Sequence, residues 1–513
     1  MLDLETIPTD QLHRMAAAAA SQSNMVGSEL ALRELARREP RNLDVMLSLT
    51  HVLSNQGARL DAVAMARRAA AIAPRDGRTQ LALANCLLMT GQMEPAARIF
   101  EMLLRQTPGD VSILASYGMA LERLRRSSEA RAAALRALAI DPRDGRALNL
   151  LGQLDMAKGD LEAAESSFER AIKECAETSS RSMALHRLGA LREKQERWDE
   201  AFECHDRGNR VQLGTTMARH VSTGIVYTRL HDSMPESAAA MVARWKDHAV
   251  PRDRVAPVFL VGFPRSGTTL TEQVLGAIPG TVTTDEEPVL DDMRRAAAEM
   301  CGAEDAATAM EALDQLTDDQ ILELRTIYWR AVDRMIGPEA ATAHLFIDKQ
   351  PLRFVYAALL NRVFPDSKII FVIRDPRDCC LSCFFQDFAP FGPMARSTSL
   401  DGIGALYAEV MTFWMRARTV LSIPWMEMRY EDMVADFEPH ARRLVEFVGH
   451  PWSDDILNFQ KKASRRVIRT PSFRSVTEKV NTRAVGKWAR YEKHLGPLID
   501  RVRPFLEPLG YEE

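Results

Sequence analysis

The sequence of 513 residues predicts an α-solenoid followed by a three-layer α/β domain with a mostly parallel sheet. Three observations support this prediction. Prolines and small residues recur every 34 positions in the front half, which indicates stacked helical repeats. Short, continuously apolar segments alternate with helical stretches after residue 256, as in a parallel sheet buried on both faces. A loop bounded by Gly262 and Gly267 follows the first of these segments.

Composition is that of a soluble globular protein of two or three domains. The apolar share is 46%, the charged share is 27%, and the formal net charge is −4. Because the charges nearly balance, we expect no nucleic-acid partner, and an anion site would have to be built locally. No apolar run approaches the length of a membrane span, so we expect no membrane-spanning segment.

The cysteines and the start of the sequence bear on the compartment. The opening "MLDLETIPTD" carries acidic residues and no basic region, which argues against a secretory signal. The seven cysteines are odd in number and mostly scattered, so we expect a reducing, cytoplasmic location without a disulfide framework. Cys380 and Cys383 form a CxxC with no second pair nearby. We interpret them as buried small residues rather than as a metal or redox site.

The repeat in the front half is defined by residues of three types at a constant step. They are the prolines Pro40, Pro74, Pro108 and Pro142, the alanines Ala62, Ala96, Ala130 and Ala164, and the glycines Gly57, Gly91 and Gly159, with Arg125 in the missing glycine place. A fifth copy slips by three residues, so that Gly189 and Ala201 correspond to Gly152 and Ala164. Small residues allow two helices to approach closely, and the proline ends the second helix.

This pattern resembles tetratricopeptide repeats. The resemblance covers residues 1–212 as five repeats, with a weaker copy near 9–42. It implies a concave groove for a peptide or protein, while a dimerisation or spacer arm remains the alternative. Residues 213–254 lack the period and are predicted to form a helical linker, which leaves 255–513 as the second domain.

The loop after the first apolar segment predicts an anion site. The predicted strands are 257–262, 345–348, 368–373 and 425–430. Glycines at 262 and 267 permit the turn, and the amides of Ser266, Gly267, Thr268 and Thr269 converge where a helix opens. A nucleoside-triphosphatase loop would carry a lysine where Thr268 stands. Arg265 is the cation available inside the loop, and its fork of donors suits a tetrahedral oxyanion.

The segment "VIRDPRDCCLSCFF" predicts a second anion site. Arg374 ends a strand, and Ser382 falls in the second turn of a helix predicted over 377–386, so both side chains can face the strand end. An arginine and a hydroxyl that converge there would hold an anion by charge-assisted hydrogen bonds. The alternative is a surface pair between Arg374 and Asp378.

"FPRSGTT" and "RDPRDCCLS" together resemble the two cofactor signatures of sulfotransferases that use 3′-phosphoadenosine 5′-phosphosulfate (PAPS). The resemblance covers about 255–513 and is nearest to the branch related to tyrosylprotein sulfotransferases. It implies that the first loop cradles the 5′-phosphosulfate and that Arg374 and Ser382 hold the 3′-phosphate. It also implies adenosine 3′,5′-bisphosphate (PAP) as the product, with no metal.

The same resemblance assigns the catalytic residues. "TDEEPVL" resembles the segment with the general base, which gives that role to Glu287, with Glu286 as the substitute. "FIDKQP" resembles the segment that supplies a lysine at the bridging oxygen, which is Lys349. Arg265 and Lys349 are therefore expected to stabilise the developing charge.

The segment "TPSFRSVTEKVNTRAVGKW" resembles the closing nucleotide-binding segment of the family. Ser472 matches the family's serine, but the place of its lysine is occupied by Glu478. Lys479, Arg483 or Lys487 are the candidate replacements, and Trp488 is either a core residue or an adenine contact.

The expected activity is transfer of a sulfuryl group from PAPS to a hydroxyl acceptor. A tyrosine of a peptide or protein held by the repeats is one candidate acceptor, and carbohydrate and small-molecule hydroxyls remain open, as does a homodimer. Two other functions stay possible on the sequence alone. One is a P-loop kinase or nucleoside triphosphatase, and the other is a nucleotide-binding scaffold without turnover.

Overall fold

The computed structural model describes residues 4–21, 25–55, 59–214, 234–245, 254–302, 310–388, 392–460 and 481–512. The chain divides into two compact units, Met1–Val221 and Ser222–Glu513. Of the residues singled out in the sequence, Gly57, Ser472, Glu478 and Lys479 lie outside the described residues.

In the first unit, the described residues form six consecutive helix pairs. The helices are α1 (Thr9–Ser21), α2 (Met25–Arg38), α3 (Leu43–Asn55), α4 (Arg59–Ile72), α5 (Gly77–Met89), α6 (Met93–Gln106), α7 (Val111–Arg123), α8 (Ser127–Ile140), α9 (Gly145–Lys158), α10 (Leu161–Glu174), α11 (Thr178–Lys194) and α12 (Trp198–Leu213). The five predicted repeats and the weaker first copy are each one helix pair, which confirms the predicted solenoid.

In four of the six helix pairs, the first helix begins after an acidic or amide side chain that lies two residues after the repeat proline. Asp76, Asp110 and Asp144 each accept a hydrogen bond from the backbone amide three residues further on, at 3.0, 3.1 and 2.8 Å. Asn42 does the same for Val45 at 3.2 Å. Each cap satisfies a backbone donor that the helix leaves free, so the proline ends one helix and the cap begins the next.

A second periodic contact joins neighbouring repeats. Arginines donate across the repeat boundary to the carbonyl oxygen of the preceding repeat proline, all at 3.1 Å; the pairs are Arg68 with Pro40, Arg136 with Pro108 and Arg170 with Pro142. In the repeat formed by α5 and α6, Met102 stands at the equivalent position. These contacts follow from the same period of 34 residues that the prolines show.

Small residues in the repeats do allow close approach of helices. A Cβ atom at Gly152 would lie 2.5 Å from the ring of Phe168, and one at Gly189 would lie 2.6 Å from the ring of His205. Any larger residue at either position would push the two helices of its repeat apart.

The second unit contains a five-stranded parallel sheet in the order β2-β3-β1-β4-β5. The strands are β1 (Val258–Gly262), β2 (Thr281–Thr283), β3 (Leu345–Lys349), β4 (Lys368–Ile373) and β5 (Trp425–Arg429). The four predicted strands are confirmed. The prediction missed β2, because its three residues form no apolar run.

Helices cover both faces of the sheet. The described α-helices of this unit are α13 (Ala238–Trp245), α14 (Thr268–Gly276), α15 (Asp291–Cys301), α16 (Met310–Asp314), α17 (Asp318–Met335), α18 (Ala357–Val363), α19 (Pro376–Phe384), α20 (Leu400–Ala417), α21 (Tyr430–Ala435), α22 (Phe437–Val448) and α23 (Gly496–Val502). On one face Leu260 packs in a cluster with Val274 and Leu444, and on the other Phe371 stacks on Trp414 at 4.2 Å. The predicted three-layer architecture is therefore confirmed.

Candidate functional site

The described residues of the predicted site lie mostly just after the carboxyl ends of four adjacent strands, β2, β3, β1 and β4. Strand β1 lies between β3 and β4, so the segments that leave Gly262, Lys349 and Ile373 emerge side by side. The chain leaves β1 toward one edge of the sheet and returns to β4 on the other side. Such a reversal of strand order opens a crevice at the carboxyl ends, where α/β sheets bind ligands.

The loop after β1 is held in a conformation that requires its two glycines. Gly262 and Gly267 have φ angles of 153° and 111°. A Cβ atom at Gly262 would lie 2.5 Å from the carbonyl oxygen of Val372 in β4, and one at Gly267 would lie 2.6 Å from the ring of Tyr430. Arg265 also has a positive φ of 69°, which costs energy for a residue with a side chain. The loop thus lies tightly against β4 and the end of β5.

Polar groups of the loop face a position that suits an anion. Helix α14 begins at Thr268, directly after Gly267, so its first amides point toward the loop. The hydroxyl of Ser266 is buried and has no hydrogen-bond partner among the described residues. A buried donor of this kind is costly unless a ligand satisfies it.

Arg265 joins the loop to helix α19. Its Nε donates a hydrogen bond to the hydroxyl of Ser382 at 3.1 Å. Burial lowers the pKa of the Arg265 guanidinium, and the nearby Arg374 lowers it further, although the group stays cationic at neutral pH. The two predicted anion sites are therefore adjacent, because a residue of the first contacts a residue of the second.

Arg374 lies between the loop, the end of β5 and helix α19. Its Nη1 donates to the carbonyl oxygen of Arg265 at 3.1 Å, and its guanidinium lies 4.9 Å from the ring centre of Tyr430. Asp378 is 3.6 Å away, but both side chains are buried, so the alternative of a surface pair is wrong. The Nε of Arg374 is buried without a hydrogen-bond partner among the described residues. A second buried donor is thus available to an anion.

Asp378 fixes the segment 481–488 over this second site. Its carboxylate accepts hydrogen bonds from the amides of Gly486 and Trp488, both at 2.8 Å. Arg374 donates to the carbonyl oxygen of Ala484 in the same segment. The side chain that the sequence suggested only as a surface partner therefore orders the residues that close the site.

Residues 487 and 488 pack on helix α19 and the segment after it. The indole of Trp488 stacks on the guanidinium of Arg377 at 3.8 Å, which neither predicted role for this residue included. The ammonium of Lys487 lies 5.2 Å from the ring centre of Phe385. Arg483 is exposed, and the predicted nucleotide contacts of these residues stay predictions.

Lys349 is fully buried at the end of β3 between two carboxylates. Its Nζ lies 2.7 Å from Oε1 of Glu286 and 3.2 Å from Oε2 of Glu272. Burial alone would lower the pKa of Lys349, but the two carboxylates outweigh it and hold the pKa above its ordinary value. Lys349 is therefore an ammonium ion at neutral pH.

The predicted base lies in a strained turn after β2. Asp285 and Glu286 have consecutive φ angles of 48° and 67°, and the amide of Glu287 donates to the carbonyl oxygen of Thr284 at 3.0 Å. Two successive residues with side chains in this region are uncommon and often mark functional turns. Glu286, the substitute in the sequence prediction, contacts Lys349. Glu287 follows it, half-buried, in the same turn.

The sequence prediction did not include two residues of the site, Glu272 and Tyr430. It also did not include the contact of Asp378 with residues 486 and 488. For Glu272 a signal exists, since it is the only charged residue of the helix "TTLTEQVLG" that follows the loop. For Tyr430 there is none, because its contacts with Gly267 and Arg374 arise only when β5 pairs with β4.

Other features bear on the remaining predictions. All seven cysteines are free, and Cys380 and Cys383 are buried as predicted. Within the described ranges, no three or more His, Cys, Asp or Glu side chains are grouped as a metal would need. None of the described helices is both long and apolar enough to cross a membrane.

The fold and the site define a repeat protein joined to an α/β domain in which the two predicted anion sites adjoin. Residues 257–454 match the model of the sulfotransferase family. Residues 55–117 and 145–178 match tetratricopeptide repeat models. The chain therefore combines tetratricopeptide repeats with a domain of the sulfotransferase family.

Two known proteins align with one half or more of this chain. An uncharacterised protein of Aquifex aeolicus is 28% identical over 64% of this chain, and the chain spans 42% of that protein's length. Protein-tyrosine sulfotransferase A of Caenorhabditis elegans is 25% identical over 51% of this chain and 68% of its own length. A solved structure of MamA from Desulfovibrio magneticus covers 32% of this chain and 93% of its own at 18% identity. Its TM-score is 0.30.

Proposed function

We propose that the second unit transfers a sulfuryl group from PAPS to a hydroxyl acceptor. The observation that supports this most directly is the adjacency of the two anion sites, in which Arg265 of the loop donates to Ser382. PAPS carries an anionic group on both its 5′ and 3′ sides, so it would engage both sites at once. The match of residues 257–454 to the sulfotransferase family supports the same activity.

The groups present in the site fit such a nucleotide. The buried Ser266 hydroxyl and the buried Nε of Arg374 both lack partners among the described residues, and an anion at each site would satisfy them. The backbone at Gly262 and Gly267 leaves no room for side chains, which keeps the amides of the loop accessible. PAPS when bound supplies the sulfuryl group.

The chain's own residues would supply positioning and charge. The amides at the start of α14, together with Arg265, would neutralise the oxygens of the 5′ group. Lys349, held as an ammonium ion, would stabilise negative charge on the bridging oxygen. Glu287 would accept the proton of the acceptor hydroxyl, with Glu286 as the second candidate because it lies in the same turn and already contacts Lys349.

A kinase or nucleoside triphosphatase is the weaker alternative. Thr268 stands where such a loop needs its lysine, and ATP would leave the second site at Arg374 and Ser382 without a ligand group. A scaffold without turnover is also weaker, because a buried lysine between two carboxylates is costly to retain without a role.

The acceptor is proposed to be a tyrosine hydroxyl of a peptide or protein. Two observations support this class: relatives that bear the name protein-tyrosine sulfotransferase, and the repeats, which commonly bind peptides. Carbohydrate and small phenolic hydroxyls are the competing classes. A cytoplasmic location and a homodimer stay predictions.

Thermal unfolding with added nucleotide tests the donor. PAP should stabilise the protein, by about 2.7 kcal/mol at one hundred times its Kd. ATP with Mg²⁺ should stabilise it less; stabilisation by ATP and not by PAP would exclude the proposal. Incubation with sulfur-labelled PAPS and a tyrosine peptide library, a phenol and an oligosaccharide would then identify the acceptor class by which product carries the label.

A further inference from the structure

Glu272 connects the two parts of the site that the proposed chemistry uses. It lies on α14, five residues after Gly267, and its side chain is completely buried. One carboxylate oxygen lies 3.2 Å from Nζ of Lys349, and the other accepts a hydrogen bond from the amide of Asp285 at 3.2 Å. A single side chain therefore contacts both the buried lysine and the turn that carries Glu286 and Glu287.

Both contacts meet a physical need of the site. A buried ammonium ion is unstable unless a counter-charge stays beside it. The turn holds Asp285 and Glu286 at positive φ angles, and such backbone persists only where the surroundings fix it. Glu272 meets both needs, because it supplies a counter-charge to Lys349 and an acceptor to the turn. It does so from helix α14, which begins directly after the loop.

We propose that Glu272 is a positioning residue that keeps Lys349 charged and holds the turn of residues 284–287 in place. Glu286 is half-buried, whereas Glu272 is inaccessible to solvent, so the two carboxylates have different roles. When the donor binds, Lys349 can leave Glu286 for the bridging oxygen and still retain the counter-charge of Glu272. The inference rests on the proposed sulfuryl transfer.

The isosteric variant Glu272→Gln tests the charge. It keeps an acceptor for the Asp285 amide but leaves Lys349 with Glu286 alone, so the ammonium ion should lose its proton at lower pH. We expect kcat to fall about tenfold for transfer from sulfur-labelled PAPS to the acceptor that the labelling experiment identifies. The loss should appear in kcat, while the Kd for PAP changes less than about threefold.

A double-mutant cycle with Lys349→Met separates this role from a general loss of stability. If Glu272 acts through the lysine, Glu272→Gln combined with Lys349→Met should be no slower than Lys349→Met alone. Independent, multiplying effects would overturn the inference, as would an unchanged kcat in Glu272→Gln.

The matched control is Glu427→Gln in β5. Glu427 accepts hydrogen bonds from Arg418 at 2.6 Å and from the indole of Trp414 at 2.9 Å. Its loss should lower stability but leave kcat unchanged. If Glu272→Gln fails to fold, Glu272→Asp keeps the charge at a shorter reach, and we expect its kcat to fall while its Kd for PAP changes less than about threefold.

The rate of cleavage by a glutamate-specific protease measures how firmly the turn is kept in its conformation, and it requires no activity assay. Glu272→Ala removes the acceptor for the Asp285 amide, so cleavage after Glu286 should be at least about fivefold faster than in the wild-type protein or in Glu427→Gln. Equal cleavage rates would overturn the positioning role. Failure of the wild-type protein to bind PAP or transfer sulfate would instead exclude the proposed function, so the two failures are distinguishable.

Discussion

Arg265 and Ser382 are 117 residues apart in the sequence and share a hydrogen bond of 3.1 Å. This contact joins the loop after β1 to helix α19, and Arg374 reinforces it by donating to the carbonyl oxygen of Arg265. The two predicted anion sites are thus parts of one hydrogen-bonded unit. A nucleotide with anions on both sides of its ribose would bind across that unit.

Replacing Arg374 by alanine should weaken the second anion site selectively. Because charge-assisted hydrogen bonds contribute about 1.5–3 kcal/mol each, we expect the Kd for PAP to rise about 10- to 100-fold. The Kd for AMP, which lacks the 3′-phosphate, should change much less. Calorimetric titration with both nucleotides measures the difference, and Arg442→Ala, at an exposed arginine of α22, is the control. An equal loss for both nucleotides would remove Arg374 from the 3′ side.

Asp378→Asn should loosen the segment that closes the second site. The carboxylate accepts from the amides of Gly486 and Trp488, whereas an asparagine offers a single, uncharged acceptor. We expect hydrogen exchange at these two amides to accelerate by at least about tenfold, since each lost bond to a charged group costs about 1.5–3 kcal/mol. Protection equal to that of the wild-type protein would show that other contacts hold the segment.

Asp348 should make stability depend on pH. Burial raises the pKa of this carboxyl to about 6, although the hydroxyl of Tyr328, 3.0 Å away, donates a hydrogen bond that opposes the rise. The folded state then binds the proton more tightly than the unfolded state, whose carboxyl titrates near 3.9. The stabilising contribution is therefore complete below about pH 4 and is lost as the pH rises through 6.

Asp348→Asn removes this titrating group and nearly preserves its shape. Urea unfolding between pH 4 and 7 should show a shallower decline of stability in the variant. The stability of the variant relative to the wild-type protein should rise by up to about 2–3 kcal/mol between pH 4 and 6. A constant difference over this range would contradict the raised pKa.

In the repeat unit, Asp110→Ala should cost about 1 kcal/mol of unfolding free energy, as expected for loss of a helix N-cap. The side chain accepts from the amide of Ile113 at 3.1 Å, and alanine leaves that donor without its partner. Asp44→Ala is the control, because its side chain is 80% exposed and pairs with Arg78 at 3.3 Å on the surface. Chemical denaturation should show a clear loss of unfolding free energy for Asp110→Ala and not for Asp44→Ala.

Much of the fold was predictable because it depends on local or periodic patterns. The proline step predicted the helix pairs, and the caps at Asp76, Asp110 and Asp144 follow from the same motif. Continuous apolar segments predicted four strands. Strand β2 was not predictable in this way, since its pairing with β3 supplies stability that "TVT" lacks on its own.

The site was predictable in its residue types and only partly in its contacts. Two short motifs contain the loop glycines, Arg265 and the pair Arg374–Ser382. The chemistry of these residue types can be inferred from the sequence. The contact of Asp378 with the closing segment and the stack of Trp488 on Arg377 are not, because each joins residues more than one hundred positions apart. The sequence also could not decide which of Glu286 and Glu287 contacts Lys349. Both residues lie in one turn, and only the backbone conformation directs their side chains.

The sequence by itself determined the repeat architecture and the parallel sheet and revealed the two motifs that we predict to bind anions, because these depend on period, apolarity and glycine. Only the tertiary structure decided that the two motifs touch and that Lys349 lies between Glu286 and Glu272. It alone decided, too, that Tyr430 fills the space between Gly267 and Arg374. The physical reason is the strand order, which brings the carboxyl ends of β3, β1 and β4 together although their residues are far apart along the chain.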